Sequence, residues 1–376
     1  MTALRDRLGS AAVKVSSITR APRTSLATAR ESLRVVAIGG GTGLSTLLRG
    51  LRRYAPSPQG HGGGTDETER PSLISDLAAV VTVTDDGGSS GRLRKHFNML
   101  PPGDLRNCMV ALADDEALLS RLFRHRFSSN GSGNENGNEG GPEALEGHSF
   151  GNLFVAALAE ITGDFAQAIK LSSQVLATRG HIYPATTTNV SLVARMDDDS
   201  LVHGETNITA SKQRIAELML EPASALPLPE TLDSIARADL ITVGPGSLYT
   251  SLITNLLVTG VAEALAETQA TRVYVCNLMT QANESLDLSA SQHIERIYEH
   301  ARQPIFDYAV VNTAPVSRAL RVRYAKEGAV PIHWDVARIE ALGVKCIAGD
   351  YADEGDVLRH AADRVTETLL RLGFEG

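Results

Sequence analysis

A cluster of four glycines between a buried strand and a helical pattern constrains the fold of this chain more than any other feature. The apolar run Val35–Ile38 is followed at once by Gly39, Gly40, Gly41, Thr42 and Gly43. Glycines in such a turn let backbone N–H groups approach a ligand closely, and the positive end of the next helix favours negative charge. We therefore expect a βα unit whose turn binds a phosphate-sized anion. A tight turn without a ligand is the alternative.

The turn matches neither of the two common nucleotide-binding motifs. Counting from Gly39, the dinucleotide pattern G-x-G-x-x-G needs a glycine at position 44, where the chain has Leu44. The P-loop pattern G-x-x-x-x-G-K-[ST] occurs nowhere in the sequence. The glycine cluster therefore indicates an anion site outside both classes.

A second polar group follows the next predicted strand, Ala78–Thr84. The carboxylates of this group could hold Mg²⁺ or a sugar hydroxyl, and its arginines could pair with phosphate oxygens. An aspartate-capped turn with surface arginines is the alternative. The group consists of Asp85, Asp86, Gly87, Gly88, Ser89, Ser90, Arg92 and Arg94.

Two further turns lead into predicted helices. After the Pro-Pro-Gly run at 101–103, Asp104 is a candidate N-cap and Asn107 projects from the first turn, which suits recognition of an oxyanion. The segment 147–152 places His148 and Asn152 ahead of an apolar helix. His148 is a catalytic candidate, although a lone histidine beside a helix is more often structural.

A second glycine turn follows the predicted strand Ala238–Val243. The N–H groups of this turn could hold a second phosphate, because they stand free at the start of a helix. The turn consists of Gly244, Pro245, Gly246 and Ser247.

Short Val, Ile and Ala runs alternate with segments of helical length, which predicts an α/β fold of the Rossmann-like type. We expect a mostly parallel sheet with helices on both faces and ligands at the carboxyl ends of its strands. The 376 residues, 43% of them hydrophobic, are enough for a large core. Outside the main sheet, 190–196 should pair with 201–203 as a small antiparallel hairpin, and 353–372 should form a closing helix.

Composition argues against several classes of protein. The net charge of −8 does not suit a general nucleic-acid binder. Cys108, Cys276 and Cys346 are widely separated, so neither a disulfide framework nor a cysteine zinc site is indicated. The sequence contains no apolar run of the ~18 residues that a membrane span requires and no signal-peptide core. We therefore expect a cytoplasmic protein without a transmembrane segment.

The N-terminal segment and two internal segments differ from the rest of the chain in composition. Residues 1–30 are basic and rich in Ser, Thr and Ala, so we expect a disordered extension. Residues 31–376 should form a single domain with flexible insertions near 56–71 and 128–147. The second insertion ends next to His148 and could act as a lid, with a tolerated surface insertion as the more ordinary reading.

Five blocks of sequence resemble, in this order, the signature blocks of the YvcK (gluconeogenesis factor) branch of the CofD-like family. They are GGGTGLS, DDGGSSGRLR, PPGDLRN, GHSFGN and GPGSLYTS, and the similarity runs from about residue 34 to about residue 370. The resemblance implies a Rossmann-like binder of UDP-sugars, UDP-N-acetylglucosamine in particular. It also implies a role in cell shape and in growth on gluconeogenic carbon, with no cofactor required.

A better-known relative in the same family implies the alternative function. The 2-phospho-L-lactate transferase acts with a guanylylated substrate and Mg²⁺. By analogy this chain would be a phosphotransferase that uses a nucleotide diphosphate-linked substrate, with Asp85 and Asp86 positioning the metal. The sequence separates the two functions poorly, because the motifs that would serve transfer also serve binding.

The resemblance carries over to particular positions of this chain. Gly39–Gly43, the Asp85–Asp86 pair and Gly244–Ser247 match the family's loops. A tyrosine and an arginine that contact the UDP-sugar correspond best to Tyr324 and Arg359, which could stack on uracil and neutralise the diphosphate. Partner proteins from cell-wall synthesis, protein kinases and a homo-oligomer are compatible with the resemblance, but the sequence identifies none of them.

Overall fold

The apolar runs of the sequence form the strands of one parallel sheet. The computed structural model describes residues 31–57, 72–113, 118–128, 145–211, 213–282 and 284–376. The predicted basic extension at 1–30 and most of each predicted insertion lie outside the described residues.

The strands in the described part of the chain are short and, in the main sheet, largely buried. They are β1 (Leu33–Gly39), β2 (Ile74–Val81), β3 (His181–Pro184), β4 (Ser191–Met196), β5 (Leu201–His203), β6 (Ile215–Glu221), β7 (Leu240–Val243), β8 (Thr271–Val275), β9 (Tyr308–Asn312), β10 (Lys345–Gly349), β11 (Ala352–Glu354) and β12 (Leu358–His360).

The order of strands in the main sheet creates an opening at its centre. Seven strands pair in the order β10-β9-β8-β7-β1-β2-β3, and every neighbouring pair is parallel. From β1 the chain first winds outward to β3, and from β7 it later winds in the other direction to β10. The carboxyl ends of β1 and β7 therefore meet at a topological switch point, where parallel sheets bind ligands. The predicted Rossmann-like fold is confirmed.

Helices connect the strands and flank the sheet. They are α1 (Gly41–Leu51), α2 (Gly88–Phe97), α3 (Gly103–Leu112), α4 (Leu118–Arg124), α5 (Phe150–Thr162), α6 (Phe165–Val175), α7 (Glu205–Ala210), α8 (Pro229–Arg237), α9 (Thr254–Leu256), α10 (Val261–Glu267), α11 (Ala290–Ala301), α12 (Arg318–Ala325), α13 (Val336–Ala341) and α14 (Ala362–Glu375).

The helices form two layers around a continuous core. α1 packs between α3 and α14, while α8 packs with α10. A π-helix, Leu248–Ile253, leads directly into α9, and all nine residues of this segment are buried. In the described part of the chain, no single helix is long and apolar enough to cross a membrane, although one pair bent by 76° reaches that length together.

A smaller antiparallel sheet lies beside the main one. The predicted hairpin is confirmed, since β4 pairs with β5, and β6 adds a third strand on the other side of β4. The predicted closing helix at 353–372 is wrong at its start. Residues 352–360 form the β11–β12 hairpin, and α14 begins only at Ala362. The helical pattern holds from there, with Val365, Leu369 and Leu372 buried.

The predicted strand at 78–84 is displaced toward the amino end of the chain. The paired strand is β2, Ile74–Val81. Its partner β1 ends at Gly39, where the chain turns into α1, so only one further backbone bond follows, from the Thr82 N–H to the carbonyl of Gly39. Thr84 and the acidic residues after it are therefore released toward the carboxyl end of the sheet.

Two equivalent arginine–aspartate clamps join neighbouring strands at the amino end of the sheet. Arg34 donates its backbone N–H, Nε and Nη2 to the carboxylate of Asp239, each at 2.9 Å. Arg272 donates the same three groups to Asp307 at 2.8–3.0 Å. Both aspartates directly precede a strand, so each clamp fixes the register of one strand against the next.

Replacing Asp239 by asparagine should destabilise the fold, because the buried carboxylate accepts three hydrogen bonds and an amide cannot replace them all. We expect the free energy of unfolding to fall by about 2 kcal/mol, measured by urea denaturation. The control is Asp287→Asn, which removes the exposed ion pair with Arg214 and should cost less than about 1 kcal/mol. Equal losses in the two variants would contradict a special role for the clamp.

Candidate functional site

A cleft of about 450 Å³ lies at the switch point, at the carboxyl ends of β1 and β7. The fold brings together in it the first glycine turn, one of the two predicted aspartates, the second glycine turn and the predicted tyrosine. Its walls are Gly40, Gly41, Thr42, Gly43, Asp85, Asp104, Glu205, Pro245, Gly246, Ser247, Ser251, Asn277, Leu278, Met279, Gln281, Tyr324, Leu358 and His360.

The two glycine turns pack directly against each other. A Cβ atom on Gly43 would lie 2.4 Å from the carbonyl oxygen of Pro245, so only glycine fits at this position. Gly41 has a φ of +62°, which L-residues rarely adopt. Gly39 and Gly244 sit just beneath the cleft, where the Gly39 carbonyl accepts a hydrogen bond from Asn255 Nδ2. Gly43 is therefore required by the close approach of the two turns, and Gly41 by its backbone conformation, whether or not a ligand is bound.

Part of the backbone of each turn is already hydrogen-bonded within the protein. The N–H of Gly41 donates to Asp104 Oδ2 at 2.9 Å. The N–H of Gly246 donates to Asn277 Oδ1 at 3.1 Å, and Asn277 Nδ2 donates back to the Gly246 carbonyl at 2.7 Å. A ligand anion would therefore meet the remaining backbone and hydroxyl groups of each turn, in the positive field of the helix that follows.

The sequence predicted Asp104 as the N-cap of its own helix, and this prediction is wrong. α3 begins at Gly103 after Pro102, and no side chain of its N-cap residue bonds to it. The carboxylate instead contacts the first glycine turn, where Oδ2 accepts from the Gly41 N–H and would lie 2.9 Å from a Cβ on Gly40. Burial raises the pKa of Asp104 to about 6, and the nearby charge of Asp85 acts in the same direction.

Glu205 is a cleft residue that we did not single out from the sequence. It is the first residue of α7, and its Oε2 accepts a hydrogen bond from Thr84 Oγ1 at 3.0 Å. Burial, assisted by Asp104 and Asp85, raises its pKa to about 9. Glu205 is therefore neutral at pH 7. In the sequence Glu205 stands in the run HGETNI at 203–208, directly after the predicted hairpin, and nothing else there marks it as a cleft residue.

The two adjacent aspartates are used differently. Asp85 lines the cleft, and its Oδ1 accepts from the backbone N–H of Gly87 at 3.0 Å. Asp86 caps α7 instead, because its Oδ1 accepts from the N–H and the Oγ1 of Thr206 at 2.8 and 2.5 Å. The described residues contain no group of three His, Cys, Asp or Glu side chains arranged to hold a metal ion. Of the predicted metal pair, only Asp85 lines the cleft, and the Mg²⁺ site of the transferase alternative stays a prediction, since Mg²⁺ is usually held by one or two carboxylates together with substrate phosphates.

Three of the predicted site residues, Ser89, His148 and Asn152, do not line the cleft but form a buried cluster of their own. Ser89 Oγ lies 2.9 Å from His148 Nδ1 and accepts from Asn152 Nδ2 at 3.1 Å. All three side chains are buried, and burial together with Arg92 lowers the pKa of His148. The cluster joins the start of α2, reached through Gly87 and Gly88, to the start of α5.

Three more of the predicted residues lie near this region without lining the cleft. Arg92 Nη2 donates to the carbonyl of Glu146 at 2.6 Å. Ser90 is buried at the start of α2, and its Oγ would be the first atom met by a Cβ on Gly103. Asn107 lines a second pocket of about 250 Å³, which shares Thr42 with the cleft.

Tyr324 and Arg359, the pair carried over from the family, lie in neighbouring pockets. Tyr324 lines the cleft, and its hydroxyl accepts from the N–H of Leu358 at 3.0 Å. Arg359 lines an adjoining pocket of about 500 Å³. His360 lines both pockets and so connects them.

His360 is a second cleft residue that sequence reasoning missed, although it adjoins Arg359. Its Nε2 lies 2.9 Å from the carbonyl oxygen of Cys276. A carbonyl only accepts hydrogen bonds, so Nε2 carries the proton and Nδ1 is an acceptor. Burial lowers the pKa of His360 to about 4, which keeps the ring neutral at pH 7.

The Glu205→Gln variant should make the stability of the protein less dependent on pH. The pKa of Glu205 is raised in the folded state, so its stabilising contribution is present below about pH 4.5 and is lost as the pH rises toward 9. We expect wild-type stability to fall by up to about 1.4 kcal/mol per pH unit more steeply than that of the variant. The measurement is urea denaturation at pH 5, 6, 7 and 8.

Glu263→Gln is the matched control, since Glu263 is an exposed residue of α10 remote from the cleft. Its pH profile should follow that of the wild type. Parallel profiles for the wild type and Glu205→Gln would contradict the raised pKa of Glu205.

Known proteins match this chain over most of its length. The family described as "2-phospho-L-lactate transferase CofD" matches residues 35–352 of the chain. The gluconeogenesis factor of Halalkalibacterium halodurans is 43% identical over 337 residues, covering 89% of this chain and 95% of the relative. That of Bacillus subtilis is 40% identical over 340 residues, covering 90% and 98%.

A solved structure extends the similarity to the fold. The crystal structure of protein BH3568 from Bacillus halodurans matches with a TM-score of 0.80 and 42% identity. It covers 90% of this chain and 99% of that one. These matches confirm the resemblance drawn from the five sequence blocks. The chain therefore belongs to the CofD family and, within it, to the gluconeogenesis factor (YvcK) branch.

Proposed function

We propose that this chain is a regulatory protein that binds a UDP-sugar, UDP-N-acetylglucosamine in particular, in the cleft between β1 and β7. One observation carries the proposal: two glycine turns and Tyr324 converge on the same cleft at the switch point. Each turn precedes a helical segment, α1 or the segment Leu248–Leu256, whose positive end favours a diphosphate.

The protonation state of the acidic side chains in the cleft supports an anionic ligand. Three carboxyl groups, Asp85, Asp104 and Glu205, line the cleft and would repel a diphosphate if all of them were ionised. Burial raises the pKa of Asp104 to about 6 and that of Glu205 to about 9. Glu205 is then a hydrogen-bond donor at neutral pH, and protonation of Asp104 below pH 6 should strengthen binding.

The opposite wall offers surfaces for a base and a sugar. Leu278, Met279 and Leu358 line it together with the ring of Tyr324. The hydroxyl of Tyr324 is held by the Leu358 N–H, which fixes the ring in place. An immobilised aromatic ring with apolar neighbours suits stacking on uracil.

The names of the relatives and the free cysteines of this chain support a proposal for its role and location in the cell. Relatives that carry the name gluconeogenesis factor support a role in growth on gluconeogenic carbon. The finer proposal is that UDP-N-acetylglucosamine levels act through this protein on cell shape, with cell-wall or kinase proteins as partners. All three cysteines are free thiols, which suits the reducing cytoplasm where we place the protein.

Calorimetric titration with UDP-N-acetylglucosamine, GDP and NAD, with and without Mg²⁺, tests the proposal. We expect selective binding of the UDP-sugar without Mg²⁺ and no product on incubation. Tyr324→Ala should weaken binding at least about tenfold, because it removes a stacking surface worth on the order of 1 kcal/mol or more. Arg359→Ala should weaken it as well if the diphosphate reaches the adjoining pocket.

Tyr324→Phe is the matched control, since it keeps the ring and loses only the contact with Leu358. It should retain most of the affinity. Mg²⁺-dependent binding of GDP, with formation of a phosphoester product and indifference to UDP-sugars, would overturn the proposal in favour of a CofD-type phosphotransferase.

A further inference from the structure

The helix α12 and the residue that follows it are basic, in a protein whose net charge is −8. Four of the nine residues at 318–326 are cations, and none of the nine is acidic. All four side chains are exposed to solvent. They are Arg318, Arg321, Arg323 and Lys326.

Three of these four cations have no partner within the described part of the chain. The side chains of Arg318, Arg321 and Lys326 form no hydrogen bond and no ion pair with any described residue. Arg323 is engaged, since its Nη1 donates to the backbone carbonyl of Asp356. The arginines that join the strands of the main sheet differ from these three, because each of them binds an aspartate.

The cations of α12 do not serve the cleft either. Of the residues of α12, Tyr324 alone lines the cleft, and the only buried side chain of the helix is that of Leu320. Positions four apart lie on the same side of a helix, so Leu320 and Tyr324 together mark the inner side. The cations therefore point away from both the cleft and the core.

The side of α12 opposite to Leu320 has an apolar centre within a rim of cations. Arg318, Val322 and Lys326 follow each other at intervals of four residues, and Arg321 lies beside them. Val322, in the middle, is 56% exposed. These four residues form the outer face of α12. An apolar centre with a charged rim is the usual composition of a protein–protein interface.

The residues of the outer face are unfavourable for the helix itself. Arg318 is its first residue, at the positive end of the helix dipole, where a cation is destabilising. Arg318 and Arg321 are three residues apart and repel each other. Val322 is a β-branched residue, which is a poor helix former when no packing compensates for it. Contacts within the protein therefore do not explain these side chains.

Other contacts fix α12 in position. Ser317 Oγ caps the helix by accepting from the N–H of Leu320, and the N–H of Ser317 donates to Glu354 Oε1 at 2.7 Å. The hydroxyl of Tyr324 accepts from the N–H of Leu358 at 3.0 Å. The β11–β12 hairpin thus holds the inner side of the helix. The outer face is presented on a rigid element, which reduces the entropy that a partner loses on binding.

We propose that the outer face of α12 is a docking surface for an acidic segment of a partner protein. Carboxylates of the segment pair with Arg318, Arg321 and Lys326, and an apolar side chain of the segment covers Val322. The surface is about 13 Å long, which suits a short segment of chain.

The same face is poorly suited to the other polyanions of the cell. A nucleic acid carries a long row of phosphates, and the net charge of −8 repels it as a whole. A membrane-binding helix buries a broad apolar side, whereas Val322 is the one large apolar side chain exposed on α12. A few carboxylates around one apolar residue match the outer face better.

The test measures binding of a designed acidic peptide by fluorescence anisotropy. The probe is a fluorescein-labelled peptide of about twelve residues, all glutamate except for one central leucine. We expect the wild type to bind it, more weakly at about 300 mM than at about 50 mM NaCl. The combined variant Arg318→Gln, Arg321→Gln and Lys326→Gln should bind it at least about tenfold more weakly, since three charge pairs are lost. Glutamine keeps the helix propensity and removes the repulsion.

A second triple variant is the matched control, because it changes the net charge by the same amount at exposed positions of α2, α6 and α14. It should keep the affinity of the wild type within about twofold. The control combines Lys95→Gln, Lys170→Gln and Arg371→Gln.

Val322→Ala distinguishes docking from simple attraction of charge. It removes two methyl groups from the centre of the outer face, so it should weaken binding of the leucine-containing peptide about threefold. It should leave binding of an all-glutamate peptide unchanged. This variant also decides the matter if the triple change in α12 prevents folding, which urea denaturation would reveal.

Several results would overturn the proposal. One is an equal affinity of the two triple variants for the peptide, and another is a Val322→Ala variant that binds both peptides as the wild type does. Tighter binding of single-stranded DNA or of phosphatidylserine vesicles than of the peptide, lost with the three cations of α12, would assign the face to that polyanion instead. A wild-type dimer in sedimentation that dissociates in the same variant would assign it to a contact between two copies of this chain.

Discussion

The functional architecture depends on the contact between two glycine turns, one after β1 and one after β7. Gly43 approaches the carbonyl of Pro245 so closely that no Cβ could stand between them. This contact exists because β1 and β7 are parallel neighbours, held in register at their other ends by Arg34 and Asp239. It sets two helix starts side by side, and the cleft is the space that they leave open at the switch point.

The wall of the cleft contains buried carboxyl groups, and their raised pKa values reduce the free-energy cost of burying them. Carboxyl groups are expensive to bury when ionised, and the raised pKa values of Asp104 and Glu205 mean that the fold favours their neutral forms. The same neutrality leaves room for a negatively charged ligand. In the proposed function, the stability of the fold and the affinity for the ligand would depend on the same protons.

The C-terminal wall has its own small hydrophobic cluster, separate from the main core, formed by Leu278, Met279, Val316 and Leu320. Tyr324 packs against this cluster and is fixed by the N–H of Leu358 in the β11–β12 hairpin. The position of the ring therefore depends on the packing of α12 and of the hairpin, and only indirectly on the main sheet. Two independently packed parts of the chain thus meet across one cleft.

The sequence by itself determined what local pattern can encode: the buried strands, the glycine turns, the β4–β5 hairpin and the family. Its glycine blocks marked both turns of the cleft, because a positive φ or a close backbone approach requires glycine wherever the chain later packs. It misjudged Asp104 and overlooked Glu205 and His360. Only the tertiary structure decided these roles, because burial, pKa and hydrogen-bond partners come from residues distant in the chain, as Gly41 is from Asp104.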